Sequence, residues 1–527
     1  MSKKRVTMPL TLGIALTCVA AIVVAGASIF GWTRYNFEVR LMFSDRYSMA
    51  ILVSTLGGLY MLLIAVRMIF EPQYGWYVWG RFQESVYLRR WWLVCSPFFP
   101  FITTSFGYMK TGWIEPANIS AWCAFIFSVF QFIKHVTGAW LRPARRGKYF
   151  VYEPTDHNDP LIATASIRKF SIIGGDILQK LGPHTFVTPG SDYFVLHGCV
   201  FHRPTNLLLQ DPRSAISCAA IRRVKDYELP ETLKIYRILA FIYTRSSGGL
   251  LYNENKIGLK TDLESIANIP PEQAEICISK TTYFDFICSN DLTRYYILPS
   301  DTRAGIGEDL FDLVRSRTTG RVISLANSSL SNHMGGGTLA IARSGQLYLS
   351  KQGKLTLAAR GLLAPTGSGS FDWRDQWFKR NLHQLIVTGI ERELREECAY
   401  TKKDIEETII LGYGRDIRRG GKPDFFAVSF VNKPPEIDHA EIGFIDQHQV
   451  FDIESTDETD LREKLNLIRD SIAGSASKAV LINLQLLADA ESPILIKILE
   501  FIRRDAPPTP KRSLLSRVFN RARCGKS

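Results

Sequence analysis

Between Met8 and Trp32 the chain runs without a charged residue, and no other stretch limits so strongly what it can fold into. An apolar run of this length matches the roughly 20 residues that a helix needs to cross a bilayer. It is too long for a signal-peptide core. Ala25-Gly26-Ala27 imitates a cleavage site, but a second apolar segment, Ser48 to Val66, follows at once. The sequence therefore predicts a membrane protein with an N-terminal transmembrane helical hairpin in residues 1–75, its helices over about 8–32 and 48–70. Lys3, Lys4 and Arg5 precede the first helix, and Arg67, Arg81, Arg89 and Arg90 follow the second. An excess of basic residues marks the cytoplasmic side, so both termini are expected in the cytoplasm.

Residues 76–148 form a membrane-proximal apolar and basic region. Its runs Trp91–Met109 and Ile119–Ile133 either lie in the interface, pack on the first hairpin or form a second one, although the latter run is short for a span. Arg142, Arg145, Arg146 and Lys148 close the region, as topology charge or as a contact for anionic lipid headgroups. The whole chain carries a net charge of +13, which favours acidic partners such as nucleotides, nucleic acid or anionic membrane lipids. Its nine cysteines are odd in number and contain no C-x-x-C pair, which argues for reduced thiols and against a disulfide framework or a zinc site.

Residues 149–320 read as an α+β middle region of short apolar runs between turn signals, and yield no chemistry. From 321 to 503 the pattern sharpens. Gly335–Ala342 and Gln346–Ser350 read as strand, tight turn, strand, followed by a Gly/Ser-rich loop over 365–370. An amphipathic helix is expected from about Trp377 to Cys398, then strands near 408–411 and 424–430, and a long closing helix from about Ser477 to Phe501. Residues 504–527 form a basic tail.

The helix ending at Cys398 holds the most informative residues. Glu393, Glu396 and Glu397 stand at i, i+3 and i+4, so their carboxylates share one face. An oxygen-ligated Mg²⁺ or Mn²⁺ would relieve their mutual repulsion. The simpler alternative is a solvated face neutralised by Arg392 and Arg395.

Arg392-Glu393-Leu394-Arg395-Glu396-Glu397-Cys398-Ala399-Tyr400 resembles the end of the Nudix box, with Ala399 in place of its glycine. The strand–strand–loop–helix–strand–strand–helix order resembles the Nudix α/β/α sandwich over roughly residues 321–455. The resemblance implies that Glu393, Glu396 and Glu397 hold the metal and carry catalysis if the domain is active, with Glu441 as a further base or ligand. It also implies that Gly367 and Gly369 bring backbone close to metal or phosphate and that Arg392 serves the ligand. Arg415, Arg418, Arg419 and Lys422 form a basic loop that either holds phosphate oxygens or is a solvated hairpin tip. The upstream half of the box departs from the pattern: Gln384 and Phe378 stand where a glutamate and a glycine belong. An insertion over 371–383 would let Gly369 with Asp372 or Asp375 take those places.

A membrane hairpin joined to a degenerate Nudix module resembles the two-transmembrane Nudix effectors of bacterial CBASS antiphage systems. That resemblance implies a homo-oligomer in the bacterial inner membrane that senses a cyclic nucleotide and then disrupts the membrane, with no nucleic acid duplex as partner. Two alternatives stay open, a membrane-anchored metal-dependent hydrolase of nucleoside diphosphate derivatives and a structural scaffold.

Overall fold

The computed structural model describes residues 192–503 apart from short gaps, together with strand β1 (Tyr149–Tyr152) and parts of 80–88. The expected spans at 8–32 and 48–70, the runs at 91–109 and 119–133, and the tail at 504–527 lie outside the described residues. Among the described residues no single helix is long and apolar enough to cross a membrane.

The core is a nine-stranded mixed sheet. In chain order its strands are β2 (Tyr193–Leu196), β3 (Cys199–His202), β9 (Gly335–Ala342), β10 (Gln346–Gln352), β11 (Leu363–Pro365), β12 (Gly367–Ser370), β13 (Ile405–Asp416), β14 (Lys422–Val431) and β15 (Ile445–Asp452). The intervening strands β4 (Ala220–Arg223), β5 (Asn255–Leu259) and β6 (Glu275–Thr282) make a second sheet, and β1 pairs with β7 (Tyr296–Pro299) and β8 (Glu308–Asp309) in a third. The main order is β11-β10-β9-β14-β13-β3-β2, with β12 added to β9 and β15 to β10. Only β9 and β14 in this sheet run parallel, from Gly335 opposite Asp424 to Ala342 opposite Val431.

Strand alternation sends β14 side chains to two different cores. Phe425 and Ala427 pack on helix α1 (Leu382–Cys398). Phe426, Val428 and Phe430 pack on the other face, against α2 (Glu458–Ile472), α3 (Lys478–Ala488) and α4 (Ser492–Arg503). The result is a sheet with helices on both faces. The long closing helix expected over 477–501 is two helices, α3 and α4, bent by 97° at a short break. Asp489 and Ala490 close α3 with bonds to the carbonyls of Gln485 and Leu487, which separates the two apolar runs. Helix α2 carries many charges on its outer face and was not anticipated, although Leu461, Leu465, Ile468 and Ile472 form a clear buried stripe.

The Gly/Ser-rich stretch expected as a loop forms β11 and β12 instead. Glycine is required there by close approach: a Cβ on Gly367 would lie 2.5 Å from the Leu394 Cα of α1. With hydrogen in that place, β12 packs directly on the helix backbone. Helix α1 starts later than its periodicity suggests, at Leu382, because Asn381 caps it by accepting from the Gln384 N–H at 3.0 Å. It ends on Ala399 with φ +52, a left-handed conformation that glycine adopts freely. An L-residue pays about 1–2 kcal/mol for it.

The middle region is built into this body. β2 and β3 extend the main sheet through β13, and Asn206 accepts the Tyr413 N–H at 2.6 Å. Strand β5 runs along the helix-α1 side, where the Ile257 N–H donates to the Phe371 carbonyl at 3.0 Å. Ile257 and Ile276 share one core with Leu385, Ile386 and Ile390, so the 320/321 boundary expected from sequence separates no independent core.

Candidate functional site

Helix α1 brings its acidic face against β12 and a short turn over Trp373–Gln376. At the centre is Arg392, which is only 6% exposed. Its Nε donates to Asp375 Oδ1 at 2.9 Å, Nη1 to Glu396 Oε2 at 2.8 Å, and Nη2 to the Ser370 carbonyl at 3.0 Å. The same Nη2 lies 2.8 Å from Glu393 Oε1. Burial opposes the guanidinium charge, but Glu393, Asp372, Asp375 and Glu396 together hold its pKa well above the usual value. Burial also raises the pKa of Asp375, against the pull of Arg392. Asp375, from the turn over Trp373–Gln376, is thus the carboxylate closest to the Arg392 Nε.

The three glutamates do not converge. Glu396 is held by two guanidinium groups, Arg392 and Arg374, the latter at 3.0 Å. Glu397 accepts the Ser368 N–H at 3.0 Å. Glu393 sits against β12 so closely that a Cβ on Gly369 would lie 2.3 Å from its carboxyl carbon. Among the described residues no group of three or more His, Cys, Asp or Glu side chains is arranged to hold a metal ion. The glutamates therefore do not fit as a ready-made cage for Mg²⁺ or Mn²⁺, because arginine already occupies the position between Glu393 and Glu396.

A cleft of about 840 Å³ opens beside this helix, within the range of small-ligand sites. Of the residues singled out from sequence, Gly369, Glu393, Glu397, Glu441, Arg418 and Lys422 line it. Gly367 lies behind it against Leu394, and Arg392 and Glu396 stand in the ion-pair layer underneath. Arg415 points elsewhere, to the Gly421 carbonyl and to Asp262 at 3.5 Å. Arg418 is held by both oxygens of Asp416 at 2.9 Å, and Lys422 pairs with Asp424. Burial lowers the pKa of Lys422, against the pull of Asp424.

Of two further lining cations, Arg419 belongs to the basic loop that the sequence offers to phosphate, and Lys256 escaped the sequence reading. Arg419 lies 3.6 Å from Asp291 and stacks 4.7 Å over the Phe286 ring. Lys256, from β5, donates to Asp372 at 2.5 Å and to Glu254 at 2.7 Å. Burial works against the Lys256 charge, but Asp372 and Glu254 raise its pKa overall. No local motif marks Lys256. Its signal is an isolated lysine in an otherwise apolar strand, Asn255–Leu259, whose other inner residues are all buried.

His333 sits behind these cations, stacked 3.9 Å from Phe286, with Nε2 3.2 Å from Ser370 Oγ. Burial, then Lys422, Arg419 and Lys256, push its pKa well below 6.5. The unfolded chain therefore binds a proton that the folded one refuses, and stability is expected to fall as pH drops below about 6.5. Over that window a single proton gives a slope of up to ~1.4 kcal/mol per pH unit. Thermal melts from pH 8 to 5 should show it, and His333→Phe should flatten it.

No protein family matches the chain, and no curated protein does. Among solved structures, DR0079 from Deinococcus radiodurans aligns at 12% identity and TM-score 0.21, over 29% of this chain and 81% of its own. Tm1382, whose own Nudix hydrolase assignment is provisional, aligns at 12% identity and TM-score 0.20, over 29% of this chain and 71% of its own. Both likenesses are slight and reach less than a third of the chain.

Proposed function

We propose that the chain is a membrane-tethered nucleotide sensor whose Nudix-like region binds a cyclic nucleotide and does not consume it rapidly. The observation that carries this reading is the state of the acidic helix. Arg392 bridges Glu393 and Glu396 beneath a cleft that is large enough for a nucleotide and lined with Lys256, Arg418, Arg419 and Lys422. Arginine and lysine suit phosphate oxygens, and a cavity of this kind needs no resident metal to hold them. Together with the hairpin expected over residues 8–70, the proposal is of a transmembrane effector of CBASS type in the bacterial inner membrane. Ligand binding would act on the hairpins only through a higher affinity for the assembled state.

The test is a titration of the full chain in detergent with a panel of cyclic di- and trinucleotides, read by calorimetry. Saturable binding of at least one, with a Kd of about 10 μM or tighter, is expected on the scale of specific small-ligand sites. Absence of binding across the panel contradicts the reading. A hydrolase reading has one observation in its favour: Glu393, Glu397 and Glu441 all face the same cleft. It requires turnover that Glu397→Gln abolishes.

A further inference from the structure

Among the described residues five cationic side chains line the cleft: Lys256, Arg418, Arg419, Lys422 and Lys478. The first four are paired with carboxylates, Asp372 and Glu254, Asp416, Asp291, and Asp424. Lys478 is exposed and has no carboxylate partner among the described residues. It is also the first residue of α3, so its charge stands where the helix dipole is positive and where leading N–H groups lack intrahelical acceptors. Val480 and Leu481 already donate to the Ser477 carbonyl, leaving the N–H groups of Lys478 and Ala479 at the tip.

Ser477 supplies an independent sign. It occupies the N-cap position and lines the cleft, yet it is 9% exposed, its hydroxyl does not cap the helix, and its Oγ has no hydrogen-bond partner among the described residues. A buried, unpartnered hydroxyl costs about 1–3 kcal/mol unless something outside the protein satisfies it. Lys478 and Arg418 both act on His197, whose pKa is lowered by burial first and by these cations next. Both therefore contribute positive potential at His197.

We infer that the N-terminal end of α3 is an anion subsite, taking a phosphate group on the Lys478 ammonium, the Ser477 hydroxyl and the leading N–H groups. It lies on the sheet face opposite helix α1, so a ligand reaching both would span the cleft. The inference rests on the reading of that cleft as a nucleotide site and names the part that holds a phosphate.

Two probes separate the inference from that reading: inorganic pyrophosphate and the cyclic-nucleotide panel, each titrated into the full chain and into Lys478→Ala and Ser477→Ala. Both side chains can be shortened without opening a core, and melting midpoints verify folding. The expected result is pyrophosphate binding that weakens at least fivefold in Lys478→Ala and by a smaller factor in Ser477→Ala, with the wild-type affinity falling as salt rises. A cyclic nucleotide bound equally by all three proteins overturns the subsite and leaves the nucleotide reading intact. Pyrophosphate binding that depends on Lys478, with no cyclic nucleotide bound, supports the subsite and overturns the nucleotide reading. Failure of both probes overturns both.

Discussion

Replacing Arg392 with alanine is expected to destabilise the folded protein by about 3–5 kcal/mol, because it leaves buried carboxylates without their countercharge. Asp375, Glu393 and Glu396 all converge on this one guanidinium. Asp375 is only 3% exposed and depends on Arg392 most, whereas Glu396 keeps Arg374. Differential scanning calorimetry should show a midpoint several degrees lower. Arg392→Lys should recover only part of the loss, since an ammonium cannot present the three separate nitrogens that Asp375, Glu396 and Ser370 use. Asp375→Asn in the Arg392→Ala background should restore some stability, because it removes the most deeply buried orphaned charge. If Arg392→Ala melts like the wild type, the ion-pair layer is not what holds the acidic helix to β12.

The second large effect is expected at Lys256. Its ammonium is buried between Glu254 and Asp372, and Asp372 in turn meets Arg374 at 2.9 Å. Lys256→Met keeps the length of the stem and removes the charge, so the loss should be on the order of 2–4 kcal/mol, below that of Arg392 because Arg374 still serves Asp372. Ligand binding should weaken as well, since the same ammonium lines the cleft. A double variant with Asp372→Asn tests the pairing directly: the two changes together should cost clearly less than their sum. Additive losses would mean that Lys256 and Asp372 do not act as a pair.

Much of the central fold was legible because its signals are local. The β9–β10 hairpin announces itself through two strand-like runs around Ser344-Gly345, where the φ of +75 at Gly345 suits the turn, and the Glu393–Glu397 face follows from helical spacing alone. What sequence reasoning missed depends on contacts between distant segments. Gly367–Ser370 reads as a loop by composition, but strand pairing with Gly335–Thr338 and packing on Leu394 make it a strand. The sequence offers Asp372 or Asp375 for the acidic place that Gln384 occupies in the Nudix pattern, and only the folded turn shows that Asp375 meets Arg392 at 2.9 Å and Asp372 at 3.7 Å. Lys256 reaches the site from a strand far upstream, so no spacing rule points to it. The carboxylate triad was read as a face of equals. Arg392–Glu396 is an i,i+4 pair that helical spacing allows, but Arg374 reaches Glu396 from the turn before the helix, and periodicity does not encode that contact.

The central claim is that the cleft holds a nucleotide without rapidly destroying it. The most direct measurement is to saturate the full chain in detergent with the cyclic nucleotide that binds best, in the presence of Mg²⁺ or Mn²⁺. After an hour the protein is denatured and the released nucleotide is separated by chromatography. The nucleotide is expected to return intact, in stoichiometric amount. Its recovery as linear or shortened product, at a rate that Glu393→Gln or Glu397→Gln abolishes, would instead make the domain a hydrolase.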